Sequence, residues 1–91
     1  MTKNIYVVFG MTGEYDDAHD WAIAAYTDKA MAEEHAKLAY KDSVRLLQEY
    51  KGERHLIPYA ANRYDKEMCM DSNGVEYTVA TIPLLRSLPC Q

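Results

Sequence analysis

The clearest pattern of apolar and polar positions covers residues 27–50 and predicts one long amphipathic α-helix. Small and apolar residues recur there at steps of three and four, so they share one side of a 3.6-residue repeat. This side carries Ala32, Ala36, Ala39, Ser43, Leu46, Leu47 and Tyr50. The opposite side carries Lys29, Glu33, Lys37, Lys41, Arg45 and Glu49. Because the first half of the apolar side is alanine, we expect that half to lie close against a β-sheet.

Both ends of this helix have recognisable signals. Thr27 is predicted to cap the N-terminus, since its hydroxyl can accept a hydrogen bond from a free amide of the first turn. Asp28 places negative charge near the positive end of the helix dipole. Gly52 follows the periodic segment and is predicted to adopt the left-handed conformation that often ends a helix.

Two segments before the helix have the two-residue alternation of β-strands. Residues 3–10 are bulky or β-branched on both faces, which is typical of a central strand, or of a strand with a helix on one face and another partner on the other. Residues 21–26 alternate as well, and antiparallel pairing of these two neighbours is the simplest arrangement. The connection between them is rich in glycine and acidic residues and is expected to be an exposed loop.

After the helix, turn residues at 71–74 mark a hairpin, with Asn73 and Gly74 as its strongest signal. Residues 75–82 predict the strand after this turn, whereas the arm before it, residues 68–70, is short. Residues 51–63 have no period and are expected to cover part of the core. The whole chain, residues 1–91, is therefore predicted to be one α+β domain in the order β-β-α-β-β. It would have a small antiparallel sheet of three to four strands and one long helix packed on one face.

Composition narrows the class of protein. A chain of 91 residues has room for one core. We expect a cytoplasmic protein, because no apolar run approaches the roughly 20 residues of a membrane helix and no secretory signal precedes the first strand. Cys69 and Cys90 then fit two reduced thiols. The net charge of −4 disfavours direct binding to nucleic acid, since such proteins usually present a basic patch.

Candidate catalytic and metal-binding residues are few. Four possible ligands for a divalent metal fall within five positions of the acidic connection: Asp16, Asp17, His19 and Asp20. Their spacing matches no recognised metal site, so an exposed turn is the simpler interpretation. No nucleophile can be tied to His35 or His55, and the chain has no phosphate-binding glycine loop, paired-cysteine zinc motif or serine elbow. We therefore expect no catalytic residues, no metal and no cofactor.

Tyrosine is abundant, with eight residues against one tryptophan and one phenylalanine. Tyr40, Tyr50 and Tyr77 are expected in the core, whereas Tyr15 and Tyr64 belong to predicted loops. Exposed tyrosine beside acidic residues is typical of protein-binding surfaces. The predicted partner-binding residues are Glu14, Tyr15, Asp16, Asp17 and Asp20, with Tyr64 and Asp65 as a second patch.

Three short sets of residues resemble small phage and prophage proteins. They are IYVV at 5–8 with GEYDD at 13–17, YTDKA at 26–30, and NRYD at 62–65 with NGVEYTV at 73–79 and IPL at 82–84. The resemblance implies a viral accessory protein that works in the host cytoplasm by binding and inhibiting a host protein. Inhibitors of host defence, anti-CRISPR proteins among them, are of this kind, and the partner would then be a subunit of a CRISPR-Cas effector. No catalytic residue is carried over.

Two other functions stay open from the sequence. One is a structural or self-associating module, in which a strand edge left open by the small sheet pairs across a two-fold axis to form a homodimer. The other is a small metal-dependent enzyme that uses the loop from Asp16 to Asp20.

Overall fold

A computed structural model describes residues 3–12, 19–52, 61–68 and 74–85 of the chain. Its elements are β1 (Lys3–Thr12), β2 (His19–Tyr26), α1 (Lys29–Glu49) and β3 (Glu76–Leu84). The α+β class is confirmed, with a three-stranded antiparallel sheet and one helix. The described order is β-β-α-β, so the predicted β-β-α-β-β order and its fourth strand are not found in these ranges. Most of the predicted first hairpin arm, residues 69–70, lies outside them, as do Cys69, Cys90 and His55.

The sheet has the strand order β2-β1-β3, and both pairings are antiparallel. β1 is central, as its apolar character on both faces predicts. In the β1–β2 pair, Val8 lies opposite Ala24 and Phe9 lies opposite Ala22, so Ile23 is an extra residue on β2. Such a bulge bends an edge strand locally. The β1–β3 register is continuous from Lys3 to Met11.

Each strand is longer than predicted. β1 continues to Thr12 and β2 begins at His19, because the residues after Gly10 keep pairing with those before Trp21. β3 continues through Pro83, which pairs with Asn4. A proline is tolerated there because β3 is at the edge of the sheet, where one side of the strand needs no donor.

The helix ends differ from the two predicted caps. The N-cap is Asp28, not Thr27: the Asp28 carboxylate accepts a hydrogen bond from the Ala30 amide at 2.8 Å, and α1 begins at Lys29. At the other end, Gly52 has no positive φ, so the predicted left-handed residue is wrong. The amide of Lys51 instead donates to the Gln48 carbonyl at 3.3 Å, and this tighter turn ends the helix.

The alanine side of α1 packs on the sheet as predicted. Ala32 and Ala36 cover Val8, which is fully buried at the centre of β1. Nearer the C-terminal end of α1, Leu46 packs with Trp21 and Val75. The small side chains of the first group let helix and sheet approach closely. Tyr40 differs from the prediction: it is 50% exposed, because it lies beside the buried stripe and not within it.

Among the described residues, no helix is both long enough and apolar enough to cross a bilayer.

Candidate functional site

A row of three residues across the sheet sets the position of the candidate site. Gly10 of β1 lies between Trp21 of β2 and Tyr77 of β3. A Cβ atom at Gly10 would lie 2.7 Å from Cε2 and Cζ2 of the Trp21 indole. The missing side chain therefore provides the space in which the indole lies over the central strand.

Asp65 joins the two aromatic side chains of this row. Its Oδ2 accepts hydrogen bonds from Trp21 Nε1 and from the Tyr77 hydroxyl, both at 2.8 Å. Its Oδ1 accepts from the Glu67 amide at 3.2 Å. Asp65 is only 1% exposed, and no Lys, Arg or His nitrogen of the described residues forms an ion pair with it. The carboxylate is therefore satisfied by neutral donors, which must all be in place for its burial to be tolerated.

This arrangement also affects the Tyr77 phenol. Burial raises the pKa of Tyr77 well above its ordinary range, and the hydrogen bond to Asp65 raises it further. The negative charges of Asp65 and Asp42 act in the same direction. Tyr77 therefore stays protonated and keeps donating to Asp65 over a wide range of pH.

The 61–68 loop, which carries Asp65, is fastened along one flank of α1. Asn62 donates from Nδ2 to the Ala39 carbonyl at 3.0 Å, and its Oδ1 accepts from the Tyr64 amide at 2.9 Å. The Arg63 amide donates to Asp42 Oδ2 at 2.8 Å. Every one of these bonds uses a backbone group of the loop or of α1, so they fix the path of the loop without using the Arg63 and Tyr64 side chains.

His35 adds a further contact between α1 and this loop. Its Nε2 lies 2.7 Å from the Tyr64 carbonyl oxygen, and its Nδ1 lies 2.7 Å from the Tyr26 hydroxyl. Because a carbonyl can only accept, Nε2 must carry a proton and donate to Tyr64, while Nδ1 forms the hydrogen bond with the Tyr26 hydroxyl. Nε2 thus holds the loop, while the contact of Nδ1 with Tyr26 of β2 fixes the orientation of the ring.

A groove of about 440 Å³ lies between this loop and β2. Its lining includes Ala22 and Ile23 of β2, His35 of α1 and residues 63–67. Arg63, Tyr64, Lys66 and Glu67 are exposed, and Tyr64 is 39% exposed. The groove therefore has apolar strand residues along one wall and mixed charges around a tyrosine on the other.

The predicted partner-binding residues fall into three groups. The described residues do not include Glu14, Tyr15, Asp16 and Asp17. Asp20 is exposed at the start of β2, and Tyr64 is exposed in the 61–68 loop. Asp65 is buried, which corrects the prediction that it forms a surface patch with Tyr64. The turn directs Asn62 and Asp65 inward, because both side chains bond to groups beneath the loop.

The predicted site residues did not include Gly10, Trp21, Asn62 or Asp42. One signal for Gly10 was present, since an isolated glycine in a strand pattern often marks a close approach. No local pattern identifies Asn62 or Asp42 as the residues that join the loop to α1, because these contacts connect residues that are distant in sequence.

Within the described ranges, no three His, Cys, Asp or Glu side chains are grouped as metal ligands. Asp16 and Asp17 of the candidate metal loop lie beyond those ranges.

No protein-family model matches this chain. Searches of curated proteins and of solved structures also returned no match. The resemblance to small phage proteins stays a prediction.

Asp42 links the loop to α1 and gives a pH-dependent prediction. Burial raises the pKa of Asp42, but hydrogen bonds from Arg45 and from the Arg63 amide, with the charges of both arginines, outweigh burial and lower it overall. Asp42→Asn is expected to reduce the free energy of unfolding by about 1–2 kcal/mol at pH 7, because a neutral amide accepts these bonds less strongly.

The sign of the pH effect follows from the lowered pKa. The advantage of wild-type Asp42 is fully present above the ordinary value of 3.8 and is lost as the pH falls through the lower folded pKa. Urea unfolding from pH 7 down to about pH 3 should show the two proteins converging. Asp20→Asn, at an exposed carboxylate, is the matched control. A difference between wild type and Asp42→Asn that stays constant with pH would contradict this explanation.

Proposed function

We propose that this chain is a non-enzymatic recognition protein that binds a host or viral protein through the 61–68 loop and the adjoining groove. The observation that carries the proposal is the division of the loop into two sets of side chains. Asn62 and Asp65 are buried and hydrogen-bonded, whereas Arg63 and Tyr64 between them are exposed. Arginine and tyrosine are among the side chains that contribute most to binding energy in protein interfaces.

The fixed path of the loop favours binding. Three backbone groups of the loop, the amides of Arg63 and Tyr64 and the carbonyl of Tyr64, are already hydrogen-bonded in the free protein. A partner that contacts Tyr64 would not have to order this backbone first. Pre-organisation of this kind improves affinity by reducing the entropy lost on association.

The groups with acid–base potential near the groove support recognition over catalysis. Both oxygens of Asp65 accept hydrogen bonds from protein donors. Both nitrogens of His35 have partners as well. A general acid or base needs to reach a substrate proton, and these two groups are instead committed to holding the loop.

The more specific version is an inhibitor of a host defence protein, with a CRISPR-Cas effector subunit as the partner. It rests on the sequence resemblance and on the acidic residues Glu14, Asp16, Asp17 and Asp20. Negative charge there would suit a basic channel that normally holds nucleic acid. This version adds a second contact surface to the 61–68 loop.

Tyr64→Ala tests the loop surface. The loop is held through the backbone of Tyr64, so the substitution should leave the fold intact while removing the exposed ring. Capture of the partner from host lysate is expected to weaken roughly tenfold or more, the usual loss for a central interface tyrosine. Asp16→Lys/Asp17→Lys tests the acidic surface in the same assay.

Lys41→Ala, on the exposed outer side of α1, is the matched control. Emission from the single tryptophan, Trp21, checks that each variant keeps the Asp65 contact. If Tyr64→Ala captures every partner as well as Lys41→Ala does, the loop is not the contact surface. If only Asp16→Lys/Asp17→Lys loses capture, recognition belongs to the acidic connection instead.

A further inference from the structure

The two edges of the sheet differ in how they are protected from pairing with another strand. The β2 edge has the bulge at Ile23, and the 61–68 loop lies beside Ala22 and Ile23. At the outer edge of β3, no described strand is paired, and the β1–β3 register contains no bulge. Glu76 is the one charged residue of β3. Proteins commonly protect exposed edges with bulges, covering loops or several charges, so β3 is the open edge of the described sheet.

We propose that the outer edge of β3 pairs antiparallel with β3 of a second copy of this chain, across a two-fold axis. Two three-stranded sheets would then form one continuous sheet of six strands. This inference is independent of the partner proposed for the 61–68 loop, which lies on the β2 side of the molecule.

The sequence of β3 fixes the register of this pairing. Pro83 has no N–H to donate, so the pairing covers residues 76–82 and is centred on Val79. Glu76 then lies opposite Ile82 of the second copy, and Thr78 lies opposite Ala80. The two Glu76 carboxylates are roughly 20 Å apart at about 3.4 Å per residue. No like charges face each other, so the strand is compatible with its own two-fold image.

The exposed apolar residues on the β3 side of α1 support a second copy of the chain as the partner of the β3 edge. Leu47 lies towards the start of β3, since its Cδ2 is 3.8 Å from the Cβ position at Gly74. Tyr40 and Val44 share that flank of α1 with Leu47 at helical spacing, and they are 50% and 36% exposed. His35 and Asp42 lie on the other flank, where they hold the 61–68 loop.

A two-fold axis perpendicular to the sheet places both α1 helices on the same face. With strands about 4.8 Å apart, the two helices lie roughly 10–15 Å from each other, so their exposed flanks meet. Tyr40 and Val44 would add apolar contact to the strand pairing. Strand pairing with such a second layer is the means by which this dimer would reach the roughly 1,200 Å² typical of stable interfaces.

Opposite charges introduced at Thr78 and Ala80 test the register. Thr78→Lys/Ala80→Lys places lysines opposite one another across the axis, and Thr78→Glu/Ala80→Glu does the same with glutamates. Sedimentation at concentrations up to about 100 µM should show a dimer for wild type and a monomer for each variant, with the dissociation constant of the dimer raised roughly 100-fold or more. An equimolar mixture of the two variants should form the heterodimer.

Ala25→Lys is the matched control, because Ala25 lies on the same face of the sheet as Ala80, on the other edge strand, and both are opposite Val7. It should remain dimeric. Trp21 emission and recovery of the dimer on mixing both report that the variants are folded. A monomeric wild type across the concentration range overturns the proposal. So does a wild-type dimer that both double variants retain, or two monomeric variants that fail to associate when mixed.

Discussion

Gly10→Ala is expected to reduce the free energy of unfolding by roughly 3 kcal/mol or more. The added Cβ would lie 2.7 Å from two carbons of the Trp21 indole and 2.9 Å from its Nε1. The rigid ring must therefore move, and this movement disturbs the 2.8 Å hydrogen bond to Asp65 as well. The cost combines overpacking with a weakened buried hydrogen bond.

Urea and thermal unfolding, followed by Trp21 emission, measure this loss. Gly52→Ala is the control, since a Cβ at Gly52 meets nothing within 4 Å and its φ is not positive. It should change stability by no more than about 0.5 kcal/mol. Equal stability of the two alanine variants would disprove the close approach of the indole.

Asp65→Ala is the second substitution with a large expected effect, a loss of about 3–5 kcal/mol. It leaves the Trp21 indole N–H, the Tyr77 hydroxyl and the Glu67 amide without their acceptor. For a domain of this size, such a loss lowers the thermal midpoint by roughly 15–30 °C. Asp65→Asn should lie between alanine and wild type, because it keeps one oxygen but introduces a donor among donors.

Two spectroscopic readings distinguish the loss of Asp65 as a hydrogen-bond acceptor from a general loss of stability. Trp21 emission should change in wavelength in folded Asp65→Ala, because the indole N–H loses its buried, negatively charged acceptor. The pKa of the Tyr77 phenol should fall towards its ordinary value, since the hydrogen bond and the negative charge of Asp65 both raise it. Phenolate absorbance against pH measures this change. Asp20→Ala, which removes an exposed carboxylate, should change neither reading. An unchanged Tyr77 titration in folded Asp65→Ala would contradict the assignment.

The fold elements were predictable from sequence because their signals are local and repeated. The alanine side of α1 recurs through several turns, and its contact with Val8 follows from small side chains facing a bulky strand. β1 was identified as central because both of its faces are apolar. The helix caps were less predictable. The start of the helix moves by one residue when the side chain that bonds the first turn is that of the next residue along the chain.

The candidate site was only partly predictable, because its chemistry depends on contacts between distant residues. Tyr64 and Asp65 are neighbours in one polar turn, and nothing in that turn distinguishes the exposed residue from the buried one. Asp65 is the buried one because it accepts a hydrogen bond from Trp21, which is 44 residues away in the sequence. The single tryptophan indicated that its indole N–H would need a buried acceptor, but it did not indicate which carboxylate provides it.

The way the 61–68 loop is attached has an evolutionary consequence. Its anchors are backbone amides and carbonyls together with the inward Asn62 and Asp65, so none of these hydrogen bonds depends on the side chains of residues 63, 64 and 66. Under the recognition role that we propose for the loop, mutations at these three positions would alter which molecule is bound while these anchors stay in place. A protein built in this way could follow a rapidly changing target through successive generations while its architecture stays the same.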